Sequence, residues 1–214
     1  MSTTFPVTYL ARHGETAWTV TGQHTGLTDL PLTERGEWNA QKLGERLNGM
    51  TFAKVLTSPL RRAMRTCELA GFGPVAEIDR DLVEWDYGEY EGRLTADILA
   101  ERPGWQLFRD GCPGGESPEQ VATRADRVVQ RVRRVVAGDA LLFSSGHFLR
   151  VLAARWIGVD ASLGRSFMLS TASLSGLSHE HSVDQPTIHL WNDTHHVLMS
   201  KEQQSFRVHA RADR

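Results

Sequence analysis

A histidine flanked by an arginine and a glycine directly follows an apolar segment near the start of the chain. These residues are Arg12, His13 and Gly14. A neutral imidazole can attack phosphorus, and a phosphohistidine would divide hydrolysis into two easier steps. Arginine offers a planar fork matched to phosphate oxygens, and glycine lets the backbone come close to a ligand. The alternative is a histidine that merely ends a strand. Its neighbours favour phosphoryl chemistry.

A pair of arginines begins a predicted helix after another short apolar segment. Arg61 and Arg62 follow Ser58 and Pro59. Backbone donors and guanidinium groups at a helix start favour phosphate binding. The two arginines cannot both point inward. Without further context, a solvated helix face would be the better explanation of this segment.

A glutamate among aromatic residues is the candidate proton donor. Glu84 is followed by Trp85, and Tyr87 and Tyr90 lie close by. A carboxyl group in apolar surroundings is suited to general acid catalysis because burial favours its protonated form. The alternative is an acidic surface loop with aromatic anchors.

The composition is that of an ordinary globular chain. Of 214 residues, 40% are hydrophobic and 23% are charged, and the net charge of -2 does not favour a nucleic-acid surface. Two cysteines fit a reduced cytoplasmic setting, and we find neither a signal peptide nor an apolar run long enough to span a membrane. We therefore expect a cytoplasmic protein with one domain over residues 1–200 and a polar, disordered tail over 201–214.

Apolar periodicity predicts strands that alternate with helices. The predicted strands are 5–11, 54–57, 74–78, 140–144, 172–180 and 187–191. The predicted helices are 34–47, 59–70, a broken one over 94–108, 117–138 with Ser117 as its cap, and 148–157. This alternation indicates a layered α/β domain with a mainly parallel sheet. Ligands gather beyond the carboxyl ends of such strands, where 12–16 and 144–147 lie.

These residues, taken in order, resemble the histidine phosphatase superfamily, which includes the phosphoglycerate mutases. The resemblance is carried by 12–16, 25–26, 32–33, Gly36, 58–59, 62–63, Glu84, 87–88, 115–117 and 146–150. It implies a three-layer α/β/α fold of the phosphoglycerate mutase type. It also implies His13 as the nucleophile, Glu84 as the proton donor, and Arg12 and Arg62 as phosphate clamps. Thr25, Gly26 and Tyr87 would line the substrate side.

Within the superfamily, the chain looks most similar to the small bacterial acid phosphatases and the fungal sedoheptulose-bisphosphatases. The segments 22–26, 84–92 and 109–112 carry this closer resemblance. Mutases usually have a longer insertion after the acidic glutamate. Here only about thirty residues separate Glu84 from Gly115, which favours hydrolysis over phosphoryl transfer.

The chain departs from the family pattern at two positions. Thr19 stands where members often have asparagine, and threonine can still donate a hydrogen bond to substrate. Ser145, before Gly146, stands where the family usually has a second catalytic histidine. Replacing a charged donor by a hydroxyl implies a loss of roughly 1–3 kcal/mol, or about tenfold to hundredfold in rate. His147 either compensates for this loss or caps the next helix.

The remaining candidates concern histidines and arginines outside these motifs. His179 and His181 lie two apart on a predicted strand, so a metal pair is conceivable. The resemblance instead places His181 near the mouth of the site, in a substrate-binding or a structural role. The arginines of the predicted helix 117–138 are interpreted mostly as a solvated face: Arg124, Arg127, Arg131, Arg133 and Arg134.

The sequence thus predicts a metal-independent phosphatase that acts on a small phosphorylated metabolite. No cofactor, nucleic acid or membrane is expected as a partner, and a homodimer is left open. A sugar-bisphosphatase and a phosphoglycerate mutase are the alternative enzymes. A catalytically weakened phosphate-binding regulatory protein is the alternative of another class, because of Ser145.

Overall fold

The computed structural model describes residues 5–135 and 138–197. The predicted tail, 201–214, lies outside these residues, so its disorder and the extent of the domain stay predictions. Within the described ranges, no helix combines the length and apolar character needed to cross a bilayer.

Six strands form one mixed sheet. They are β1 (Thr8–Arg12), β2 (Lys54–Thr57), β3 (Glu77–Ile78), β4 (Ala140–Ser144), β5 (Leu174–His179) and β6 (Pro186–Asp193). Their order is β3-β2-β4-β1-β5-β6. The first four are parallel, whereas β5 is antiparallel to β1 and β6 is antiparallel to β5. The predicted, mainly parallel sheet is therefore confirmed.

Seven α-helices connect or follow the strands within the described ranges. They are α1 (Ala17–Thr21), α2 (Glu34–Leu47), α3 (Arg61–Leu69), α4 (Thr95–Glu101), α5 (Leu107–Asp110), α6 (Pro118–Arg133) and α7 (Gly146–Trp156). The side chain of Ser117 accepts a hydrogen bond from the Gln120 N–H, so it caps α6 as predicted.

Helices cover both faces of the sheet because side chains along a strand alternate between its two faces. In β4, Leu141 and Phe143 pack with residues of α2 and α3 in one core. Ala140 and Leu142 pack with residues of α6 and α7 in a second core. The predicted three-layer α/β/α arrangement is confirmed.

Several predicted boundaries are wrong, and the local sequence explains two of them. The first strand begins at Thr8 rather than Phe5, and Pro6 before it has no N–H for a ladder. The third strand keeps only Glu77 and Ile78, because Gly73–Val75 forms a 3₁₀ turn. Helix α3 begins at Arg61, α6 ends at Arg133, and α7 begins at Gly146. The predicted break over 94–108 is confirmed as the gap between α4 and α5.

Candidate active site

His13 follows β1 directly and is held by backbone and side chain. Its N–H donates to the Ser144 carbonyl at 2.9 Å, and its carbonyl accepts from the Ala172 N–H at 3.0 Å. Its ring Nδ1 lies 2.7 Å from the Gly14 carbonyl. A carbonyl only accepts, so Nδ1 carries the hydrogen and Nε2 keeps its lone pair. The local chain thereby presents the nitrogen that can attack.

The environment of His13 favours the neutral imidazole. Its ring is 2% exposed. Burial is the main cause that lowers the pKa of His13 well below its ordinary value, and the charges of Arg62 and Arg12 lower it further. A neutral ring with a free lone pair is the form that a nucleophile requires.

Gly14 serves a packing role that differs from the predicted one. A Cβ at Gly14 would lie 2.4 Å from the carbonyl oxygen of Gly36 in α2. The Gly14 N–H also donates to the hydroxyl of Thr66 in α3 at 3.0 Å. The close approach that requires glycine is thus to α2. The expectation that Gly14 also lets the backbone approach a ligand stays a prediction.

Arg62 is fully buried, with one guanidinium edge occupied. Nη1 donates to the Thr28 carbonyl at 3.0 Å, and Nη2 donates to the carbonyls of Thr25 and Gly26 at 3.2 and 2.7 Å. Its Nε has no partner within the described ranges. Arg61 is exposed, so only one of the two arginines points inward, as expected.

Arg12, the last residue of β1, is held like Arg62, with a bonded guanidinium nitrogen and an Nε that has no partner among the described residues. Its Nη1 donates to the Leu169 carbonyl at 2.5 Å, and its buried Nε has no partner in the part of the chain that the structure describes. Burial lowers the pKa of Arg12, and the nearby Glu84 carboxylate partly offsets this. Unpaired buried donors are costly unless a ligand satisfies them. Both arginines therefore have a donor ready for an anion.

Glu84 lies at the amino end of α7. Its Oε1 accepts from the N–H groups of Trp85 and Phe148, each at 2.8 Å, and its Oε2 accepts from the His147 N–H at 3.0 Å. The side chain is buried. It thus occupies the position of a helix cap and is fixed in orientation by three backbone donors.

Ser145 precedes α7, but its hydroxyl does not cap the helix. Glu84 already accepts from the N–H groups that an N-cap side chain would normally bind. The Ser145 Oγ is fully buried and has no partner among residues 5–135 and 138–197. Its hydrogen-bonding capacity is therefore left for another group.

His147 is paired with Tyr87. The Tyr87 hydroxyl lies 2.5 Å from the Nδ1 of His147. Burial raises the pKa of Tyr87 well above its ordinary value, so the phenol keeps its proton. Burial also lowers the pKa of His147 well below its ordinary value, helped by Arg150, His24 and Arg12. His147 is therefore a neutral ring. It does not cap α7 by its side chain.

A polar cavity of about 250 Å³ is lined by most of these groups and by several residues that sequence reasoning missed. Arg62 and Ser145 lie behind this wall rather than in it. The predicted residues in its wall are Arg12, His13, Thr19, Thr25, Glu84, Tyr87, Gly146 and His147. The missed ones are Trp18, Gly22, Gln23, His24, Thr95, Arg150 and Leu169. His24 and Arg150 belong to the segments 22–26 and 146–150 that resemble the family. Their place in those segments is the sequence feature that could have identified them.

Two of the predicted substrate-binding residues, Thr19 and Thr25, lie in the cavity wall, whereas Gly26 does not. The Thr19 hydroxyl donates to the Thr16 carbonyl and accepts from the Thr16 N–H, each at 2.9 Å. It therefore completes the capping box of α1 rather than offering its proton to a substrate. The Thr25 hydroxyl donates to the Gln23 carbonyl at 3.2 Å. Gly26 lies outside the cavity wall and holds Arg62 through its carbonyl.

The prediction that His181 lies near the mouth of the site is wrong. Strand β5 is antiparallel to β1, so it starts beside Ala11, near the carboxyl end of β1 where His13 lies. It then runs past Thr8, at the amino end of β1, to His179. His181 follows in the turn between β5 and β6, beyond the amino end of β1 and away from His13, with its side chain 79% exposed. The direction of the strand decides this placement.

Arg124 is the exception among the arginines of α6. Its side chain is 8% exposed and pairs with Glu116. Arg127 and Arg131 are far more exposed, at 52% and 42%, and both pair with Asp81. The interpretation as a solvated face is therefore wrong for Arg124.

Within the described ranges, no group of three or more His, Cys, Asp or Glu side chains is arranged to hold a metal ion. A buried neutral imidazole, two guanidinium groups with unpaired donors and a fixed carboxylate define a phosphoryl-transfer site with a histidine nucleophile.

Comparison with known proteins agrees with this class. The model of the histidine phosphatase superfamily, branch 1, matches residues 8–194. This chain belongs to that superfamily. The prediction of a histidine-type phosphatase is thereby confirmed at the level of family and enzyme class.

Individual relatives are also similar over most of the chain. A protein named acid phosphatase from Mycobacterium tuberculosis is 41% identical over 179 residues, which cover 82% of this chain and 88% of that protein. The sedoheptulose 1,7-bisphosphatase of Saccharomyces cerevisiae is 37% identical over 187 residues, covering 72% and 68%. A solved structure of a Mycobacterium tuberculosis open reading frame product has a TM-score of 0.83 at 39% identity, covering 89% of this chain and 99% of that chain.

Proposed function

We propose that the protein is a metal-independent phosphomonoesterase that releases phosphate from a small phosphorylated metabolite through a phosphohistidine at His13. The observation that carries the proposal is the bond from His13 Nδ1 to the Gly14 carbonyl. It fixes the tautomer of a buried ring and leaves Nε2 as the attacking atom.

In the first step, the lone pair of His13 Nε2 forms a bond to phosphorus as the ester P–O bond breaks. Protonated Glu84 gives its proton to the departing oxygen. The unpaired Nε donors of Arg12 and Arg62 stabilise the negative charge on the phosphoryl oxygens. In the second step, water attacks phosphorus while the Glu84 carboxylate accepts its proton. The P–N bond then breaks and returns its electron pair to Nε2.

Steady-state hydrolysis of an aryl phosphate, combined with a rapid quench, tests the proposal. We expect acid-labile phosphate on the wild-type protein and none on His13→Ala, whose turnover should be lost while its fold is kept. Circular dichroism and thermal unfolding check that fold. Robust hydrolysis by His13→Ala would contradict the mechanism.

The role of Glu84 has a test of its own. The value of kcat/KM covers only the steps up to loss of the alcohol. Glu84→Gln should therefore lower kcat/KM far more for alkyl phosphates than for aryl phosphates with good leaving groups. An equal loss for both would show that Glu84 binds or structures the site without donating the proton.

A phosphate-binding protein with weakened catalysis is the second candidate, and Ser145 is the observation that favours it. Tight binding of inorganic phosphate without turnover of any substrate in a panel of phosphorylated metabolites would support this candidate. The panel should include sugar bisphosphates, because one relative is named a sedoheptulose bisphosphatase. A phosphoglycerate mutase is tested by phosphoryl transfer between phosphoglycerates in the same panel.

Cytoplasmic location and a homodimer remain part of the proposal. Support for the former comes from Cys67 and Cys112, which are buried free thiols. Light scattering of the purified protein tests the oligomeric state.

A further inference from the structure

Arg124 is a buried arginine whose five N–H donors all have partners. Nε and Nη2 donate to the two carboxylate oxygens of Glu116 at 3.0 and 2.7 Å. Nη1 donates to the carbonyls of Asp81 and Val83 at 2.8 and 2.7 Å, and Nη2 also donates to the carbonyl of Glu84 at 3.2 Å. A bidentate pair with three further bonds is rigid. Three of those bonds end on the loop that carries Glu84.

Glu116 holds the other side of the same loop. Its Oε2 accepts from the Asp86 N–H at 3.0 Å, and its own N–H donates to the Asp86 carbonyl at 2.9 Å. Its carbonyl accepts from the Trp85 Nε1–H at 2.9 Å. Together, Arg124 and Glu116 contact the chain before, at and after Glu84.

The same arginine also touches the residue that orients the Glu84 carboxylate. The Phe148 N–H donates to Glu84 Oε1 at 2.8 Å. The Arg124 guanidinium carbon lies 4.6 Å from the centre of the Phe148 ring. The arginine therefore links the backbone of Glu84 to the start of α7, which binds the carboxylate.

We propose that Arg124 and Glu116 are positioning residues that fix the Glu84 carboxyl group where it can protonate the leaving oxygen. The proposal rests on the proposed function, because it concerns the orientation of that proton donor. Neither residue lies in the cavity wall, so both act through Glu84. A displacement of about 1 Å at a reacting group can cost about a hundredfold in rate.

The test is the leaving-group dependence of kcat/KM in Arg124→Lys. Lysine has all its N–H donors on the single Nζ atom, so it cannot make the five hydrogen bonds that the planar guanidinium of Arg124 makes. We expect kcat/KM for an alkyl phosphate to fall about tenfold to hundredfold, with little change for an aryl phosphate that has a good leaving group. Inhibition by inorganic phosphate should stay as in the wild type, since Arg12 and Arg62 are untouched.

Arg127→Lys is the matched control on the same helix. Arg127 donates to the side chain of Asp81 at 2.6 and 3.2 Å and is half exposed. It makes no bond to the backbone that Arg124 holds, so the ratio of alkyl to aryl kcat/KM should stay unchanged. This ratio does not depend on the fraction of folded enzyme.

The proposal fails if Arg124→Lys lowers kcat/KM for both substrates equally, or if it weakens phosphate inhibition. Should that variant not fold, Glu116→Gln has the same size and should show the same selective loss. Its failure to do so would overturn the proposal as well. If Glu84→Gln shows selectivity and the Arg124 and Glu116 variants do not, only this inference fails. If Glu84→Gln shows none, the assignment of the proton donor fails first.

Discussion

The guanidinium group of Arg12 packs directly against the Cα of Gly146. A Cβ at Gly146 would lie 3.0 Å from the Arg12 Cζ and 3.1 Å from its Nε. Gly146 is the first residue of α7, so the end of β1 and the start of this helix meet at one point. The glycine is required there because any side chain would displace the Arg12 guanidinium.

Gly146→Ala should therefore weaken phosphate binding while leaving the fold stable. Alanine is favourable in a helix, but its methyl group would push the Arg12 guanidinium aside. We expect the inhibition constant of inorganic phosphate to rise about tenfold to hundredfold. Gly73→Ala is the control, because its Cβ would meet only the flexible Glu68 side chain and its backbone at 3.2–3.6 Å. Equal inhibition of Gly146→Ala and wild type would contradict the packing argument.

Ser145→Ala should affect stability and ligand binding in opposite directions. The buried hydroxyl has no partner among the described residues, so its removal should leave the free energy of unfolding unchanged or raise it. If the hydroxyl binds a phosphoryl oxygen, phosphate inhibition should weaken by about 1 kcal/mol, roughly fivefold. Urea unfolding and phosphate inhibition measure the two effects. Unchanged inhibition would remove Ser145 from the site.

Ser145→His should raise the rate by restoring a charge-assisted contact, about tenfold to hundredfold. His147→Ala should cost less than His13→Ala, because the His147 ring is neutral and is tied to Tyr87. The opposite pair of results, inactivation by Ser145→His and a severe loss in His147→Ala, would assign the missing role to His147. Single-turnover kinetics on both variants distinguish the cases.

Stability should fall as the pH drops below about 6.5, the ordinary histidine pKa. Burial lowers the pKa of His13, His24 and His147 in the folded protein. The unfolded chain then binds protons that the folded chain does not, so the free energy of unfolding rises with pH. Each such histidine contributes up to about 1.4 kcal/mol per pH unit. Urea unfolding at pH 5.0, 6.0 and 7.5 measures this slope.

His147→Gln provides the control for that pH dependence. Glutamine does not titrate, so the slope between pH 5.0 and 6.0 should decrease by up to one proton even if the variant is less stable. A wild-type stability that stays flat between pH 5.0 and 7.5 would contradict the assignment of neutral buried histidines.

Activity should survive exhaustive chelation. The charge that a divalent ion would supply to the phosphoryl oxygens can come from Arg12 and Arg62. Hydrolysis of an aryl phosphate before and after dialysis against a chelator, with metal analysis of the dialysed protein, measures this. Loss of activity that a divalent ion restores would refute the prediction.

The order of strands and helices along the chain and most of the candidate catalytic residues could be predicted from local sequence. The span of α2 and the strands β2 and β4 follow from apolar periodicity, which depends only on residues that are neighbours in the chain. Arg12 and His13 stand at the carboxyl end of the predicted first strand, and ligands bind at the carboxyl ends of parallel strands, so these residues could be assigned to the site. The family resemblance selected Arg62 rather than Arg61, and the packing of α3 buries Arg62 and leaves Arg61 exposed.

The burial of Arg124 and the position of His181 could not be obtained in this way. Helical spacing places Arg124 beside Val121 and Val128, at the border of the apolar face of α6. Its burial is completed by the loop that carries Glu84, to which it donates three hydrogen bonds. The position of His181 depends on the direction of β5, which a strand pattern does not specify.

By itself, the sequence determined the family, the fold class and the residues that can do the chemistry, because these reside in residue type and spacing. Only the tertiary structure decided which atoms are free to act. The Gly14 carbonyl selects the attacking nitrogen of His13, and Glu84 takes the capping role that would otherwise occupy Ser145. The two bonds from Glu84 to α7 join residues 63 and 64 positions apart, and such bonds exist only once the sheet and helices have packed together. The bond from His13 to the adjacent Gly14 is local in sequence, but the ring makes it inside the packed site, where it is buried.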